Sequence, residues 1–416
     1  MNIEGQDLAG RVTQGLITGG TSVRRRTNGL PWWLALGLAG CQPAVPDAAA
    51  GSGGLGVATV LGGDAASTHG FARATEPPEL VFPRDHGAHR AFRTEWWYVT
   101  ANLDGDDGAR YGVQLVFFRQ ALRPLAATPR TGSLAADEVI LAHAALTDAR
   151  GRRFFAEERL ARGAGDLGVV RGPATGQPFE VVCADWSARA SNEGDGFLPM
   201  SLRAGGQQFA FTLLLQPGKP LVRQGERGLS RKSGEPGNAS IYYSMTRLPI
   251  AGELVVDGVP HAVRGQAWLD REWSTSALGA DQVGWDWFSL QLDDGCELMW
   301  YQLRRRDGSV DPWSRGSLVE RDGTLRPLGR GDVVAEPLGS WRAADGAASY
   351  PARWRLVGTG AVPFELEVVP VLPDQELRVL VRYWEGAVDV RGTRAGAAVA
   401  GRGYLEMTGY AGSRHP

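Results

Sequence analysis

The stretch that decides the fold is residues 265–303, which read GQAWLDREWSTSALGADQVGWDWFSLQLDDGCELMWYQL. Five of the chain's 14 tryptophans lie in it. Three runs have strand character, and Asp293-Asp294-Gly295 joins the second run to the third as a tight turn, with glycine where a positive φ is needed. The stretch therefore predicts antiparallel β-structure.

The two-residue period of a strand sorts these side chains onto faces. In WLDREW, one face carries Trp268, Asp270 and Glu272, and the other carries Leu269, Arg271 and Trp273. In WDWFSLQL, one face carries Asp286, Phe288, Leu290 and Leu292, and the other carries Trp285, Trp287, Ser289 and Gln291.

Three carboxylates thus lie among large apolar residues. A buried carboxylate is costly unless it is paired, and burial can raise its pKa by up to ~3–5 units, so that it can deliver a proton. Asp270, Glu272 and Asp286 are therefore candidate catalytic acids or bases. The alternative is that they pair with arginines or accept hydrogen bonds from loop backbone.

Composition limits the class of protein. A chain of 416 residues predicts two domains or one large β domain with extras, and a formal net charge of -2 gives no reason to expect a nucleic-acid partner. The 57 glycines and 24 prolines suit a turn-rich β protein. Cys183 and Cys296 lie in strand-like runs, which favours two unpaired residues over one disulfide.

The N-terminus has the features of an export signal. Three arginines, at 24–26, precede the apolar run LPWWLALGLAG, which ends at Cys41 and is too short to span a bilayer. Leu38-Ala39-Gly40-Cys41 is similar to the lipobox of bacterial lipoproteins, so residues 1–41 are predicted to be a lipoprotein signal peptide with Cys41 as the acylated residue. An ordinary cleaved signal peptide is the alternative. We expect an exported protein anchored by lipid in the cell envelope, on the outer membrane facing the periplasm.

The rest of the chain divides by composition. Residues 42–76 are predicted to be a flexible tether, 77–225 a first barrel, 226–238 a linker and 239–412 a second barrel. Turn signals recur every ~8–12 residues, which indicates an all-β sandwich or barrel. Trp96 to Asp104 and Trp285 to Asp293 share a spacing, which suggests two barrels of related design.

Further candidates come from these strands. Glu95 and Trp97 share an otherwise apolar face, so Glu95 is a candidate carboxylate at a cavity mouth or, alternatively, an arginine-paired rim residue. His143 lies on an apolar face, where a satisfied core histidine is the usual interpretation. Tyr242 and Tyr243 lie on opposite faces, so one of them is expected to reach a cavity. His86 and His89 lack an evident third ligand, so no metal is predicted.

Several of these motifs together resemble one family. They are EWWY, AHAALTD, GERGLSRKSGEPGNASIYYSMTRL, WLDREW, GWDWFSLQLDDG, ELMWYQLR, YWEGAV and GRGYLEMTGY. Over roughly residues 77–412 the chain is similar to the lipocalin-like family named for AttH proteins and carotenoid 1,2-hydratases. The resemblance implies two lipocalin-like antiparallel barrels packed together, with room for one apolar ligand. Tyr383, Glu385, Tyr404 and Glu406, in its C-terminal signature, are expected to pack where a barrel closes.

The resemblance also implies chemistry, in which water is added to a carotenoid double bond without a cofactor. Asp270, Glu272 and Asp286 would then be the acids and bases. Arg271 stands where hydratase members typically carry His, and Arg cannot titrate near neutral pH. The candidate ligand contacts are Trp268, Arg271, Trp273, Trp285, Trp287, Glu95, Trp97, His143 and Tyr243.

Three functions follow as expectations. The first is an envelope lipoprotein that binds an apolar molecule such as a lipid, terpenoid or polyene in a barrel cavity, with an ABC-type export transporter as a possible partner. The second is a cofactor-independent hydro-lyase or isomerase that acts on a carotenoid- or terpenoid-like alkene. The third is a structural envelope protein with filled barrels. The sequence shows no nucleophile elbow, P-loop or zinc-protease motif.

Overall fold

The computed structural model describes residues 68–125, 135–173, 176–276, 278–360 and 363–411. Apart from one 3₁₀ helix, Arg84–His86, the regular elements in these ranges are strands. Cys41, the predicted signal peptide and most of the predicted tether lie outside the described residues. Within those ranges, no helix is long and apolar enough to cross a membrane.

The strands alternate with turns along the whole chain. They are β1 (Thr94–Gly105), β2 (Arg110–Ala121), β3 (Glu138–Asp148), β4 (Arg153–Arg162), β5 (Gly168–Arg171), β6 (Glu180–Cys183), β7 (Trp186–Ala190), β8 (Met200–Gly205), β9 (Phe209–Leu215), β10 (Val222–Arg223), β11 (Leu229–Arg231), β12 (Ala239–Val256), β13 (Val259–Ser274), β14 (Gln282–Leu292), β15 (Glu297–Arg305), β16 (Arg315–Val319), β17 (Leu325–Leu328), β18 (Val333–Pro337), β19 (Ser340–Arg342), β20 (Ser349–Pro351), β21 (Trp354–Gly358), β22 (Phe364–Pro370), β23 (Glu376–Leu377), β24 (Tyr383–Arg394) and β25 (Ala397–Met407).

Two large antiparallel sheets form two nearly closed barrels, as the all-β prediction required. The first follows the order β4-β3-β2-β1-β13-β12-β9-β8-β7-β6-β5, and β10 and β11 pair with β12. The two ends of this sheet lie close together. Next to the edge strands β4 and β5, the Cys183 thiol on β6 donates a hydrogen bond to the carbonyl of Ile140 on β3 at 3.2 Å. The second follows β17-β16-β15-β14-β25-β24-β22-β21-β18, and β19 pairs with β20 separately.

The two barrels share a connectivity. In the first, the opening strand β1 pairs with β2 and with the last long strand, β13. In the second, β14 pairs in the same way with β15 and β25. The shared spacing after Trp96 and Trp285 therefore marks two equivalent strands.

Sheet membership corrects the predicted division of the chain. We expected the second barrel to begin at residue 239, but β12 and β13 pair with β9 and β1 and complete the first barrel. The second sheet begins at Gln282. The Gly- and Pro-rich segment misled the prediction because a barrel closes by pairing its last strand with its first, and composition does not report that long-range pairing.

Each barrel interior is a packed core. Alternate residues of β1 and β2, among them Val99, Leu103 and Leu115, fill the first, and Phe288, Leu290 and Trp354 belong to the second. Cys183 and Cys296 are buried and unpaired, one in each barrel. The opposite faces of β1, β2, β13 and β14 point to the space between the barrels, where a separate apolar cluster forms.

Candidate active site

A cavity lined mainly by aromatic and apolar side chains lies between the two barrels. The space between its atoms is about 960 Å³, counted to its open mouth. The space left inside the first barrel is much smaller, about 230 Å³ by the same measure. We expected a ligand cavity inside a barrel. Core side chains pack the described barrel interiors, and the cavity described here forms instead where two outer sheet faces meet.

Aromatic and apolar side chains from both barrels line this cavity. The ring of Trp287 meets Tyr98 edge to face at 5.3 Å and Trp268 at 6.3 Å between centroids. The complete lining is Trp96, Tyr98, Val116, Phe118, Leu141, His143, Lys232, Tyr242, Asp270, Glu272, Leu278, Trp285, Trp287, Tyr301, Leu303, Val381, Tyr383, Glu385 and Glu406.

Asp270 projects from β13 into this apolar setting. Its carboxyl group accepts hydrogen bonds from Tyr242 Oη at 2.6 Å, Ser244 Oγ at 2.6 Å and Trp268 Nε1 at 2.7 Å. Burial raises the pKa of Asp270 to about 7, although these three donors favour the charged form. A group with that pKa can hold or release a proton near neutral pH.

Glu385 and Glu406 form a second carboxyl pair, on the opposite wall. They are directly opposite each other on β24 and β25. Burial raises the pKa of Glu406 to about 8 and, together with the charge of Glu406, raises that of Glu385 well above its usual value. Tyr98 donates to one oxygen of Glu385, and the Tyr383 hydroxyl also interacts with this carboxyl group.

A buried ammonium group lies near one end of the cavity. Lys232 Nζ is 3.1 Å from the Glu272 carboxylate and 4.3 Å from the centre of the Tyr301 ring. Burial opposes the charge of Lys232, but Glu272 outweighs it and raises the lysine pKa. Glu272 also accepts a hydrogen bond from Ser240. Glu272 is thus an ion-paired carboxylate, unlike its neighbour Asp270.

His143 also lines the cavity and is neutral. Its Nδ1 is 2.9 Å from Tyr383 Oη, while its Nε2 has no hydrogen-bond partner among the described residues and lies 3.9 Å from the Glu158 carboxylate. Burial lowers the pKa of His143 to about 3. The imidazole is therefore a neutral hydrogen-bonding group and not a proton donor at neutral pH.

The other face of β13 belongs to a different cluster. The Arg271 guanidinium donates to the carbonyls of Gly87 and Trp96 at 2.6 and 2.7 Å and lies 3.2 Å from Glu95. Arg119 pairs with the same carboxylate at 2.5 Å. Hydratase members are expected to carry a titratable histidine at this position. Here the residue is Arg271, which is ion-paired and points away from the cavity.

Five predicted ligand contacts lie in or beside this cluster and do not line the cavity. Arg271 lies over Trp97 at 4.0 Å and over Trp273 at 5.3 Å. His86 and His89, the pair considered as metal ligands, contact this cluster. His86 Nδ1 is 2.6 Å from Tyr243 Oη, and the His89 ring stacks on Trp273 at 3.6 Å. The five are Glu95, Trp97, Tyr243, Arg271 and Trp273.

Asp286 is also separated from the cavity. It points into the second barrel, where Tyr410 Oη donates to it at 2.8 Å and Arg304 Nε lies 3.1 Å away. Burial raises its pKa against the opposing charge of Arg304. Of the three predicted catalytic carboxyl groups, the fold brings only Asp270 and Glu272 to the cavity, together with Trp285, Trp287 and His143 among the predicted contacts.

Sequence reasoning missed the wall that the second barrel contributes. Tyr383 and Glu385 alternate on β24, and Tyr404 and Glu406 alternate on β25, so each strand carries a carboxyl group beside an aromatic residue on one face. The same pattern singled out Asp270 on β13. Applied to YWEGAV and GYLEM, it would have marked Glu385 and Glu406 as candidates instead of barrel-closing residues.

The arrangement can move protons in an apolar setting. The raised pKa values of Glu385 and Glu406 favour their protonated forms, which can donate a proton, and Asp270 can accept one. Tyr98, Trp285 and Trp287 line the same cavity, and aromatic rings can stabilise positive charge.

Comparison with known proteins identifies the relatives of this chain. The model of a family described as AttH-like matches residues 73–410. A crystal structure of a protein from Nitrosomonas europaea assigned to AttH is 37% identical, with a TM-score of 0.71, covering 82% of this chain and 100% of the other. Kievitone hydratase from Nectria haematococca is 14% identical, with a TM-score of 0.62, covering 82% and 96%. No protein with a curated description matches the sequence.

Proposed function

Because the chain belongs to the AttH-like family, we propose that it is a cofactor-independent lyase or isomerase acting on a carbon–carbon double bond of an apolar substrate. One observation carries the proposal. Asp270, Glu385 and Glu406, three buried carboxyl groups with raised pKa values, face one aromatic cavity. Buried carboxyl groups without a paired cation are costly, and perturbed pKa values cluster at functional sites.

The hydration step follows from the two walls. The Glu385–Glu406 pair donates a proton to one alkene carbon, and the π electrons form the new C–H bond. The other carbon becomes a cation. Water attacks it as Asp270 accepts a water proton, which forms the C–O bond of an alcohol. Return of that proton from Asp270 to the glutamate pair restores the starting state, and isomerisation differs only in losing a proton from a neighbouring carbon.

The aromatic wall stabilises the cationic intermediate. Desolvated cation–π contacts are worth ~2 kcal/mol or more, and Trp gives the strongest. Trp287 is held with its Nε1 3.3 Å from Tyr242 Oη, the same hydroxyl that donates to Asp270. The ring and the base are therefore fixed relative to each other.

One structure with the same fold is named a hydratase, although at 14% identity it supports only the fold. The departure at Arg271 does not count against the chemistry proposed here, because Arg271 lies on the opposite face of β13 from Asp270.

A second candidate is a binding protein for an apolar molecule, favoured by the mainly apolar lining of the cavity. In both candidates the chain would be exported and anchored by an acylated Cys41. Cys41 lies outside the described residues, so the anchor, the outer-membrane location and an export transporter as partner remain predictions from the sequence.

The test uses the full chain purified from its native host, with any bound apolar molecule identified by native mass spectrometry. Incubation in heavy water measures deuterium that enters the molecule at carbon. We expect Asp270→Asn and Glu406→Gln to slow incorporation by about 10²–10⁴-fold. Asp286→Asn, a buried carboxyl group outside the cavity, is the matched control and should retain activity.

A carrier gives a different pattern. The bound molecule would then take up no deuterium in any variant, and only a blocked cavity, as in Val116→Trp, would release it. Equal incorporation by Asp270→Asn, Glu406→Gln and the wild type would reject the proposed chemistry.

A further inference from the structure

An apolar row crosses the first sheet from the cavity to the outer surface. Trp96 lies opposite Phe118, Phe118 opposite Leu141, and Leu141 opposite Leu160. The first three residues line the cavity, whereas Leu160 is 62% exposed. The apolar wall of the cavity thus continues without a polar break onto the surface of β4.

The second barrel adds an exposed leucine at the same place. Leu380 is 45% exposed and precedes Val381, which lines the cavity. Its backbone N–H donates to the Glu158 carboxylate at 3.0 Å. Glu158 lies two residues before Leu160 on the same face of β4, so Leu160 and Leu380 flank the cavity from the two barrels.

Two more exposed leucines follow the end of β2. Leu122 is 50% exposed and Leu125 is 69% exposed. Leu122 N–H donates to the carbonyl of Asp137 at 2.8 Å, just before β3 begins. Strand spacing and rise place Leu122 within roughly 15 Å of Leu160. We call Leu122, Leu125, Leu160 and Leu380 the leucine rim.

The cavity is closed at the end away from the leucine rim. There the barrels contact each other directly, with Thr147 Oγ1 donating to Gln375 Oε1 at 2.6 Å and Asn102 Nδ2 donating to the carbonyl of Gly403 at 3.1 Å. These contacts lie at the opposite end of β1 and β3 from Trp96 and Leu141, the lining residues nearest the leucine rim.

The N-terminal chain arrives at the same side. The described chain begins at Thr68, and a Cβ added at Gly70 would lie 2.8 Å from Cγ of Pro124, which stands between two residues of the leucine rim. Cys41, the predicted acylation site, precedes Thr68 by 27 positions (68 − 41). This segment spans at most ~90 Å and joins the fold beside the leucine rim.

We propose that the leucine rim inserts into the surface of a lipid bilayer and that an apolar molecule passes from the bilayer into the cavity along the row that begins at Leu160. Exposed leucines that are scattered singly need no explanation, whereas apolar residues grouped around a cavity mouth indicate an interaction site. A lipid surface fits because the chain that leads from the predicted anchor at Cys41 joins the fold beside these leucines, at Gly70 and Pro124. The proposed docking to a bilayer is argued only from surface features of the protein, whereas the passage of a substrate into the cavity rests on the proposed function.

The test is flotation of residues 41–416 with vesicles of phosphatidylethanolamine and phosphatidylglycerol. All proteins carry Cys41→Ser and are made without residues 1–40, the predicted signal peptide, so that neither acyl chains nor the apolar run LPWWLALGLAG binds the vesicles. Adding Leu160→Ser and Leu380→Ser should lower vesicle partitioning about tenfold or more, because each leucine loses its transfer to an apolar phase. Adding Leu122→Ser and Leu125→Ser should lower it in the same direction.

The matched control is Leu214→Ser. Leu214 is 42% exposed and lies on β9, far along the first sheet from β4. This change should leave flotation unchanged. Urea unfolding midpoints of all variants should agree, because the substituted side chains are exposed.

Two results would overturn the proposal. One is that the Cys41→Ser protein does not float, or floats equally well with every substitution. The other is a Cys41→Ser protein that dimerises without lipid and becomes monomeric with Leu160→Ser and Leu380→Ser in sedimentation velocity, since the leucine rim would then be an interface between two copies. Flotation measures no turnover, so its outcome is independent of the proposed chemistry.

Discussion

Strand β13 separates two buried carboxyl clusters that are in opposite states. On one face, burial alone would raise the pKa of Glu95, but Arg119, His89 and Arg271 outweigh it and lower that pKa. On the other face no arginine of the described residues pairs with Asp270, and burial raises its pKa to about 7. Glu95 and Asp270 are equally buried, but Glu95 is ionised whereas Asp270 can hold a proton. The difference is that cationic side chains lie beside Glu95.

The difference separates structural from chemical roles. A carboxylate fixed between two guanidinium groups stabilises the fold and cannot easily take a proton. A carboxyl group held by Tyr242, Ser244 and Trp268 through neutral hydrogen bonds can exist in either state. Asp270, Glu385 and Glu406 in the cavity are of the second kind, whereas Glu272 in the same cavity is paired with Lys232. The charged cluster around Glu95 joins the end of the first barrel.

The largest expected effect is on the charged cluster. Glu95→Gln leaves Arg119 and Arg271 buried without their counter-charge and should lower the free energy of unfolding by about 3–5 kcal/mol. Urea unfolding at neutral pH measures it, with Glu253→Gln, an exposed residue, as the control that should change stability by less than about 0.5 kcal/mol. A loss no larger than the control's would show that the cluster is not a compensated ion network.

The pH dependence of stability should distinguish the two clusters by sign. Asp270 and Glu406 bind protons more tightly in the folded chain, so the stability they contribute is present at low pH and is lost as pH rises towards their folded pKa values of about 7 and about 8. Glu95 has a lowered pKa, so its contribution is present above about pH 4.5 and is lost as pH falls.

Unfolding of the wild type and Asp270→Asn at about pH 5 and about pH 7 checks this sign. The wild type should lose about 1–3 kcal/mol more than the variant over that interval, since a pKa unit corresponds to about 1.4 kcal/mol. Glu95→Gln should change the pH slope only in the acid range. Parallel curves for wild type and Asp270→Asn would mean that Asp270 does not titrate with a raised pKa.

A smaller effect is expected from one hydrogen bond that links the barrels inside the cavity. Tyr98→Phe removes the hydroxyl that donates to Glu385 and leaves that buried carboxyl group without this donor, at a cost of about 1–3 kcal/mol. In a double-mutant cycle the cost should shrink in a Glu385→Leu background. If Tyr98→Phe costs as much stability in the Glu385→Leu background as in the wild type, the Tyr98 hydroxyl does not act through Glu385.

The smallest effect on stability is expected for an ion pair that is exposed to water. Asp104 and Arg402 join the two barrels through an exposed pair at 2.9 Å, with side chains 54% and 40% exposed. Asp104→Asn should cost less than about 1 kcal/mol and should have no effect at about 1 M salt. A loss as large as that of Glu95→Gln would show that burial is not what separates the strong pairs from the weak ones.

Alternation along single strands was predictable from sequence. The two faces of β13 are as predicted, with Asp270 and Glu272 on one and Arg271 and Trp273 on the other. Asp286 shares its face with Phe288, also as predicted, but that face turns into the second barrel. The period of two assigns residues to a face, and the direction in which the face points depends on the neighbouring sheet.

Sequence by itself determined the all-β class, the strand runs, the faces of each strand and the family, because all are local patterns or motifs. Tertiary structure decided where the cavity lies, which strands close the first barrel and that Glu385 and Glu406 oppose Asp270. Those outcomes depend on pairing between strands far apart in the chain. The charge state of each buried carboxyl group depends in turn on whether that pairing brings an arginine to it.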